Sequence, residues 1–357
     1  MKKILVFCPH DKDPQSVALC ESILDLGGSY RLIPFNNDNK EIIYDIRLFE
    51  NNILFGKNLS DIGAVFIRAQ NLYVPLCLPP LLSEAELKLW EAKYYNENLR
   101  IKFLNSVISR LAGNGAFIIN RPSAYFHHDT KAQFFHMLRM SGIPVPHTIS
   151  TNDPGYFKKN GIDAKDDITK SPFGVGGTRE AGKQLKKYRE LLRHSPALFQ
   201  EKIKGKTIRV HTVGSKVVLA LKIFAEDIDS RTDTAGFEVI ELSTEHKQTI
   251  AKANKLLDVH YSAWDIIIDE SGQIYLLDCN PGPYIWWISP VYARHVMHQA
   301  ARFLVKYCET GSTEEADKAV EESFIPFFKT VCKVHGTTAS IADELYANAK
   351  RHLRIRY

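Results

Sequence analysis

Ile4 to Cys8 is an unbroken apolar run, the pattern of a parallel strand buried on both faces. Val17, Leu19, Ile23 and Leu24 recur at helical spacing between Gln15 and Leu26, and Gly27-Gly28 stops that helix. Tyr30 to Phe35 and Asp61 to Arg68 read as two more strands, Ser83 to Leu111 as a long helix, and Phe117 to Asn120 as a fourth strand. Strands alternating with helices predict a parallel sheet with helices on both faces. This unit ends near residue 120.

The pattern then changes. Asp129 to Ser141 reads as a helix stopped by Gly142 and the Pro144/Pro146 pair. Short strands follow around Thr148 and at Ile168-Thr169-Lys170, then a glycine-rich turn and a helix from about Lys183 to His194. From Leu198 the chain reads as antiparallel hairpins: Leu198 to Ile203, Thr207 to Val213, Lys216 to Phe224 and Phe237 to Leu242. A helix (Glu245 to Leu257), one more hairpin (Ser262 to Asn280) and a helix from near Pro290 complete the series. Ser312-x-x-Glu315 and Ser340-x-x-Asp343 read as capping boxes opening two final helices. The expected domains are 1–120, 121–198, 199–310 and a helical tail, 311–357, in a mixed α/β and α+β chain.

Composition narrows the function classes. At 357 residues, 45% hydrophobic and 24% charged, the chain is an ordinary globular protein with room for two or three domains. A net charge of +5 spread over this length implies no nucleic-acid footprint, and the only basic cluster is Lys350 to Arg356. The six cysteines have neither zinc nor thioredoxin-like spacing and read as buried, reduced thiols. The first apolar run is too short for a signal peptide, and no run approaches the ~18 residues of a membrane span. The expectation is a cytoplasmic protein with neither membrane nor nucleic-acid partner.

The last hairpin carries the sharpest chemical signal. Counting outward from a Ser271-Gly272 turn sets Asp265 directly opposite Asp278, with Asn280 projecting from the same face two residues on. Facing like charges destabilise a sheet, so a compensating cation is expected. Two carboxylates and an amide oxygen are hard ligands that suit Mg²⁺ bound together with substrate phosphates. The alternative is a solvated face with the register displaced by one residue.

Counting from a Gly214-Ser215 turn in the same way sets Lys222 opposite Thr207, on the face that carries Arg209. A basic pair beside an acidic metal site is what phosphoryl transfer requires. The turn Gly174-Val175-Gly176-Gly177 after the Lys170 strand lets backbone N–H groups approach phosphates, although it is neither a Walker A loop nor a Rossmann fingerprint. Lys170 and Lys131 are further candidates for phosphate contact.

In order, Asn120-Arg121-Pro122, Asp129-Thr130-Lys131, Gly142-Ile143-Pro144-Val145-Pro146, Lys170 with its glycine turn, Phe199-Gln200-Glu201-Lys202-Ile203, Ile208-Arg209-Val210 and Asp265…Asp278-Cys279-Asn280-Pro281 resemble the ATP-grasp superfamily. The similarity spans roughly residues 118 to 305, and the N-terminal unit resembles the Rossmann-like pre-ATP-grasp domain. The resemblance implies ATP between two α+β lobes. Lys131 and Lys170 would contact its phosphates, Gly174, Gly176 and Gly177 would form a mobile flap, and Gln200, Glu201, Lys202 and Ile203 would receive adenine. Asp265, Asp278 and Asn280 would bind two Mg²⁺, with Mn²⁺ as a substitute, and Arg209 would hold the transferred phosphoryl or acyl-phosphate. The implied chemistry is carboxylate activation through an acyl-phosphate, releasing ADP and phosphate and forming an amide or ester.

Within that superfamily the chain is most similar to the branch holding RimK-like glutamate ligases and the graspetide (microviridin-type) peptide maturases. Asn280-Pro281-Gly282-Pro283-Tyr284-Ile285-Trp286-Trp287 resembles the maturases' Asn-Pro run followed by tryptophans, and Arg231 resembles an arginine they keep near the acyl-phosphate. Asp278 stands where Glu is more usual. A peptide or amino-acid substrate is implied, and homo-oligomerisation stays open. A nucleotide-binding module without turnover, acting as a sensor or partner, is the competing expectation.

Several other features receive bland readings. His295-x-x-His298 reads as a solvated helix edge and His127-His128 as a loop pair. Arg68, ending the third strand, is held as a substrate contact at the carboxyl edge of a parallel sheet. The absence of Gly-x-Ser-x-Gly argues against an α/β-hydrolase.

Overall fold

The computed structural model describes residues 2–34, 53–54, 57–68, 83–160, 166–171, 177–187, 189–225, 234–286 and 288–322. The chain divides into two compact units. One comprises residues up to Pro122 with Ala300–Ala319; the other runs from Ser123 to Gln299 and resumes at Val320.

The first unit opens with β1 (Lys3–Cys8), α1 (Pro14–Asp25) and β2 (Tyr30–Pro34), and a short hairpin of β3 (Ile53–Leu54) and β4 (Lys57–Asn58) leads to β5 (Ile62–Ile67). α2 (Glu84–Gly113) and β6 (Phe117–Ile119) follow. β2, β1, β5 and β6 lie side by side in that order, all parallel, as the alternating pattern predicts. Asp13 caps α1 by accepting from the Ser16 N–H at 2.8 Å, and Ser83 and Glu86 close a capping box on α2. The apolar sides of β1, β5 and α2 meet in one core that includes Phe7, Val65, Leu104 and Ile108.

The second unit begins with α3 (Pro122–Asp129), a helix the sequence pattern did not predict, and α4 (Lys131–Met140), the helix expected over Asp129 to Ser141. Pro122 starts α3, a position where its missing N–H costs nothing, and the chain turns at Thr130. β7 (Thr148–Thr151), α5 (Tyr156–Lys159), β8 (Ile168–Lys170), β9 (Arg179–Glu180), α6 (Ala181–Lys187), α7 (Arg189–His194) and β10 (Ala197–Gln200) build a small lobe whose strands lie in the order β7-β10-β8-β9. β11 (Gly205–Val213), β12 (Lys216–Ala225), β13 (Thr234–Val239), α8 (Thr244–Leu257), β14 (Tyr261–Asp269) and β15 (Ile274–Asn280) supply an antiparallel sheet in the order β13-β12-β11-β14-β15. α9 (Pro290–Thr310) and α10 (Thr313–Ala319) end the described elements. The Ser312 hydroxyl caps α10, accepting from the Glu315 N–H at 3.3 Å, while the expected Ser340 cap lies outside the described residues.

One face of the five-stranded sheet packs on α4 and α8 around Phe134, Leu138, Ile250, Ile208, Val210, Trp264 and Leu276. Trp264 is fully buried there, its indole N–H donating to Asn254 Oδ1 at 2.7 Å. The strands must approach closely where β11 begins: a Cβ at Gly205 would lie 2.3 Å from the Ile268 carbonyl oxygen.

Candidate functional site

The opposite face of that sheet carries the candidate site. In the ladder Arg209 pairs with Asp265, and Asp265 with Asp278, so one row crosses three strands with a cation and two carboxylates. The next row runs Leu219, His211, Ala263, Asn280.

The Asp265–Asp278 pairing is the one counted from the sequence, reached by a different path. The loop is the three residues Glu270 to Gly272, closed by the Asp269 N–H on the Gln273 carbonyl at 3.0 Å, with Gly272 at φ +87°. That alone would displace the register by one. An extra residue, Leu277, bulges between Leu276 and Asp278 and restores it. The bulge also sets the face. Ile274 and Leu276 point into the core, and a strict two-residue period would send Asp278 after them; the extra residue turns it to the other side and puts Cys279 in the core instead.

The β11–β12 hairpin has a bulge too, with the opposite consequence. Near the turn Val213 pairs with Lys216 and Thr212 with Val217, as counted. Val218 is then extra, so His211 pairs with Leu219 and Lys222 with Ile208, not with Thr207. Lys222 therefore leaves the Arg209 face: it lies 3.4 Å from Glu238 and 4.5 Å above the Phe224 ring. The bulge has a partner that the sequence reading missed. His295 is not on a solvated helix edge; it is fully buried, and its Nε2–H donates to the Val218 carbonyl at 2.9 Å. Burial depresses its pKa to about 4.

Each carboxylate of the row already holds a cation on one oxygen. Arg209 Nη1 donates to Asp265 Oδ1 at 2.8 Å. Lys131, buried at the first position of α4, donates to Asp278 Oδ1, and His128 Nδ1, at the end of α3, lies 3.5 Å from that same oxygen. His128 Nδ1 also lies 3.0 Å from the Cys279 carbonyl oxygen. His127-His128 is thus not a loop pair: it belongs to α3, and His128 faces the site. Its one signal in the sequence was its place three residues before Lys131, at the entry to the expected helix. Burial would raise the Asp278 pKa, but the Lys131 ammonium and the His128 bond overcome it and hold the group well below the ordinary carboxylate range. Burial lowers the His128 pKa, and the Asp278 bond more than reverses this.

Among the described residues, Oδ2 of Asp265 and Oδ2 of Asp278 have no hydrogen-bond partner. Asn280 Oδ1 accepts from the Gly282 N–H at 2.9 Å, which leaves it one lone pair. This oxygen set fits Mg²⁺. Three protein oxygens are half of the octahedral set that Mg²⁺ takes, and waters and phosphate oxygens would complete it.

The small lobe holds the remaining candidates. Lys170 Nζ donates to Gln200 Oε1 at 2.9 Å, and the buried Gln200 amide donates in turn to Thr148 Oγ1 at 3.0 Å. β10 ends at Gln200, three residues short of the strand expected. The Glu201 N–H is spent on the His147 carbonyl at 2.9 Å, whereas among the described residues Lys202 and Ile203 make no backbone hydrogen bond. Gly177 is exposed; Gly174, Gly176, Trp287 and Arg231 lie outside the described residues. In the other unit Arg68 is buried and paired with Asp13, Nε to Oδ2, at 3.3 Å. Cys8, Cys20, Cys279 and Cys308 are free thiols. No described helix is long and apolar enough to cross a membrane.

No family model matches the chain. Its fold is that of the ATP-grasp ligases. The ligase PsnB, in complex with its precursor peptide PsnA2 and AMPPNP, superposes with a TM-score of 0.67 at 23% identity over 85% of this chain and 97% of that one. PsnB with a minimal precursor, Mg and ADP superposes with a TM-score of 0.62 at 25% identity, covering 79% and 90%. In sequence, human beta-citrylglutamate synthase B is 27% identical over 192 residues, 49% of either chain. A probable alpha-L-glutamate ligase of Vibrio vulnificus is 22% identical over 221 residues, 58% of this chain and 73% of that one. The chain thus matches about half the length of the human relative.

Proposed function

We propose that this protein is an ATP-dependent, ADP-forming carboxylate ligase of the RimK-like and graspetide branch, acting in the cytoplasm on a peptide or amino acid. One observation carries the reading: two aspartates on one sheet face each hold a cation on one oxygen and leave the other unclaimed. On this reading residues 1–120 are the pre-ATP-grasp domain and 121–198 and 199–310 the two lobes. Magnesium, when bound at Asp265, Asp278 and Asn280, would neutralise phosphate oxygens.

The chain's own side chains supply positioning and charge. Lys131, with Lys170 on the small lobe, would steady the phosphates of ATP. The γ-phosphoryl passes to a substrate carboxylate oxygen as the bond to ADP breaks. Arg209 would hold the resulting acyl-phosphate while an amine or hydroxyl attacks its carbonyl carbon. Phosphate leaves with the bonding pair and the nucleophile's proton passes to solvent. Positioning and charge neutralisation dominate such transfers. Lys202 and Ile203, with unspent backbone groups, suit adenine better than Glu201. Lys222 stands outside this set.

The test is ADP release that requires Mg²⁺ and a carboxylate substrate. Release of AMP and pyrophosphate rejects the mechanism, and ATP binding without ADP from any substrate pool favours the non-catalytic module. Mass spectrometry of a cell extract incubated with enzyme and ATP separates the two branches. Loss of water from a peptide marks a maturase, and gain of a glutamyl mass marks a tailing ligase.

A further inference from the structure

The corner between α3 and α4 delivers two side chains, His128 and Lys131, to one oxygen of Asp278. The ring's orientation follows from its second partner. A backbone carbonyl only accepts, so the nitrogen 3.0 Å from the Cys279 oxygen carries the hydrogen, and Nδ1–H is the donor. β15 is the edge strand of its sheet, and its outward groups are met by this segment and the one after it: the Leu276 N–H donates to the Pro144 carbonyl at 3.0 Å, and His128 donates to Cys279. The bulge at Leu277 lies between these two anchors, so the residue that the bulge turns outward, Asp278, is pinned on both sides. A second contact fastens α3 to the segment after β15, where a Cβ at Gly282 would lie 2.9 Å from Tyr125 Oη.

We propose that His128 is a positioning residue: by pinning the Cys279 carbonyl and Oδ1 of Asp278, it keeps Oδ2 of Asp278 turned to the metal. This rests on the ligase reading, since it needs a metal at Asp278. Side chains that orient a metal ligand without touching the metal typically change affinity by about 10–100-fold when removed.

The experiment titrates full-length protein and ADP with Mn²⁺, reading free Mn²⁺ by its electron paramagnetic resonance signal, alongside thermal unfolding of each variant. His128→Leu is expected to weaken Mn²⁺ binding by about tenfold or more. His128→Asn, whose amide nitrogen sits near the place of Nδ1, is expected to stay within about threefold of wild type, because one good donor is what the position supplies. If His128→Leu does not fold, His128→Gln, with its donor displaced by a bond, takes its place with the same expectation. A His128→Leu protein that binds Mn²⁺ like wild type overturns the inference, as does a His128→Asn protein that loses as much as His128→Leu. A wild type that binds no Mn²⁺ with ADP, or an Asp278→Ala protein that binds like wild type, overturns the ligase reading and the inference together. Normal losses in Asp278→Ala with none in His128→Leu sink the inference alone.

Discussion

The two hairpins of the five-stranded sheet carry the same defect and use it for opposite ends. In β14–β15 the extra residue Leu277 offsets a three-residue loop and brings Asp278 level with Asp265. In β11–β12 the extra residue Val218 offsets nothing and moves Lys222 off the Arg209 face. A count from the turn predicts faces only as far as the first bulge, because one inserted residue reverses every side chain beyond it. The bulges also differ in what pins them. Val218 is held by a buried imidazole on α9, and Leu277 lies between the Leu276 and Cys279 anchors to the α3–α4 corner and the segment after it.

Deleting Leu277 should have the largest effect. It returns Asp278 to the core side of β15, and ADP release should fall below detection while Asp278→Ala in the unaltered hairpin does the same. Retained turnover in the deletion would show that the face of Asp278 is not decided by the bulge. Arg209→Met removes the cation from Asp265 and, on the proposed reading, from the acyl-phosphate, and kcat should drop by about 100-fold or more. Lys222→Met, its counterpart on the far face, should change kcat by less than about threefold, since it loses only a half-exposed ion pair with Glu238 and a contact over the Phe224 ring. Equal losses in the two variants would put Lys222 back beside Arg209.

The smaller effect concerns stability at the Val218 bulge. The His295 pKa of about 4 lies below the unfolded value near 6.5, so between those values the unfolded chain binds the proton first. Stability from this group is complete above about pH 6.5 and is lost as pH falls toward 4, by about 3 kcal/mol in all. His295→Gln should flatten that slope in denaturant titrations at pH 7.5 and 5, and an unchanged slope would show that another group sets it.

Much of the fold was legible because its signals are local. The apolar run of β1, the spacing in α1, the long helix from Ser83 and the Gly272 turn each depend on residues within one element or hairpin. The facing aspartates were legible for the same reason, although two offsetting departures from the count lay behind the agreement. The extension of Gln200 to Ile203 as a strand failed because β10 has partners only as far as Gln200, and the chain then turns its Glu201 N–H to His147.

What the amino-acid order determined alone is the kind of chemistry available: hard oxygen ligands, basic side chains and a glycine turn strung on two alternating patterns. Which of these meet was decided by contacts between residues far apart in the chain. His128 reaches Asp278 across 150 positions, Lys131 across 147 and His295 reaches Val218 across 77. No local periodicity encodes such distances. They arise when buried groups must find hydrogen-bond partners, and a packed interior offers each of them very few.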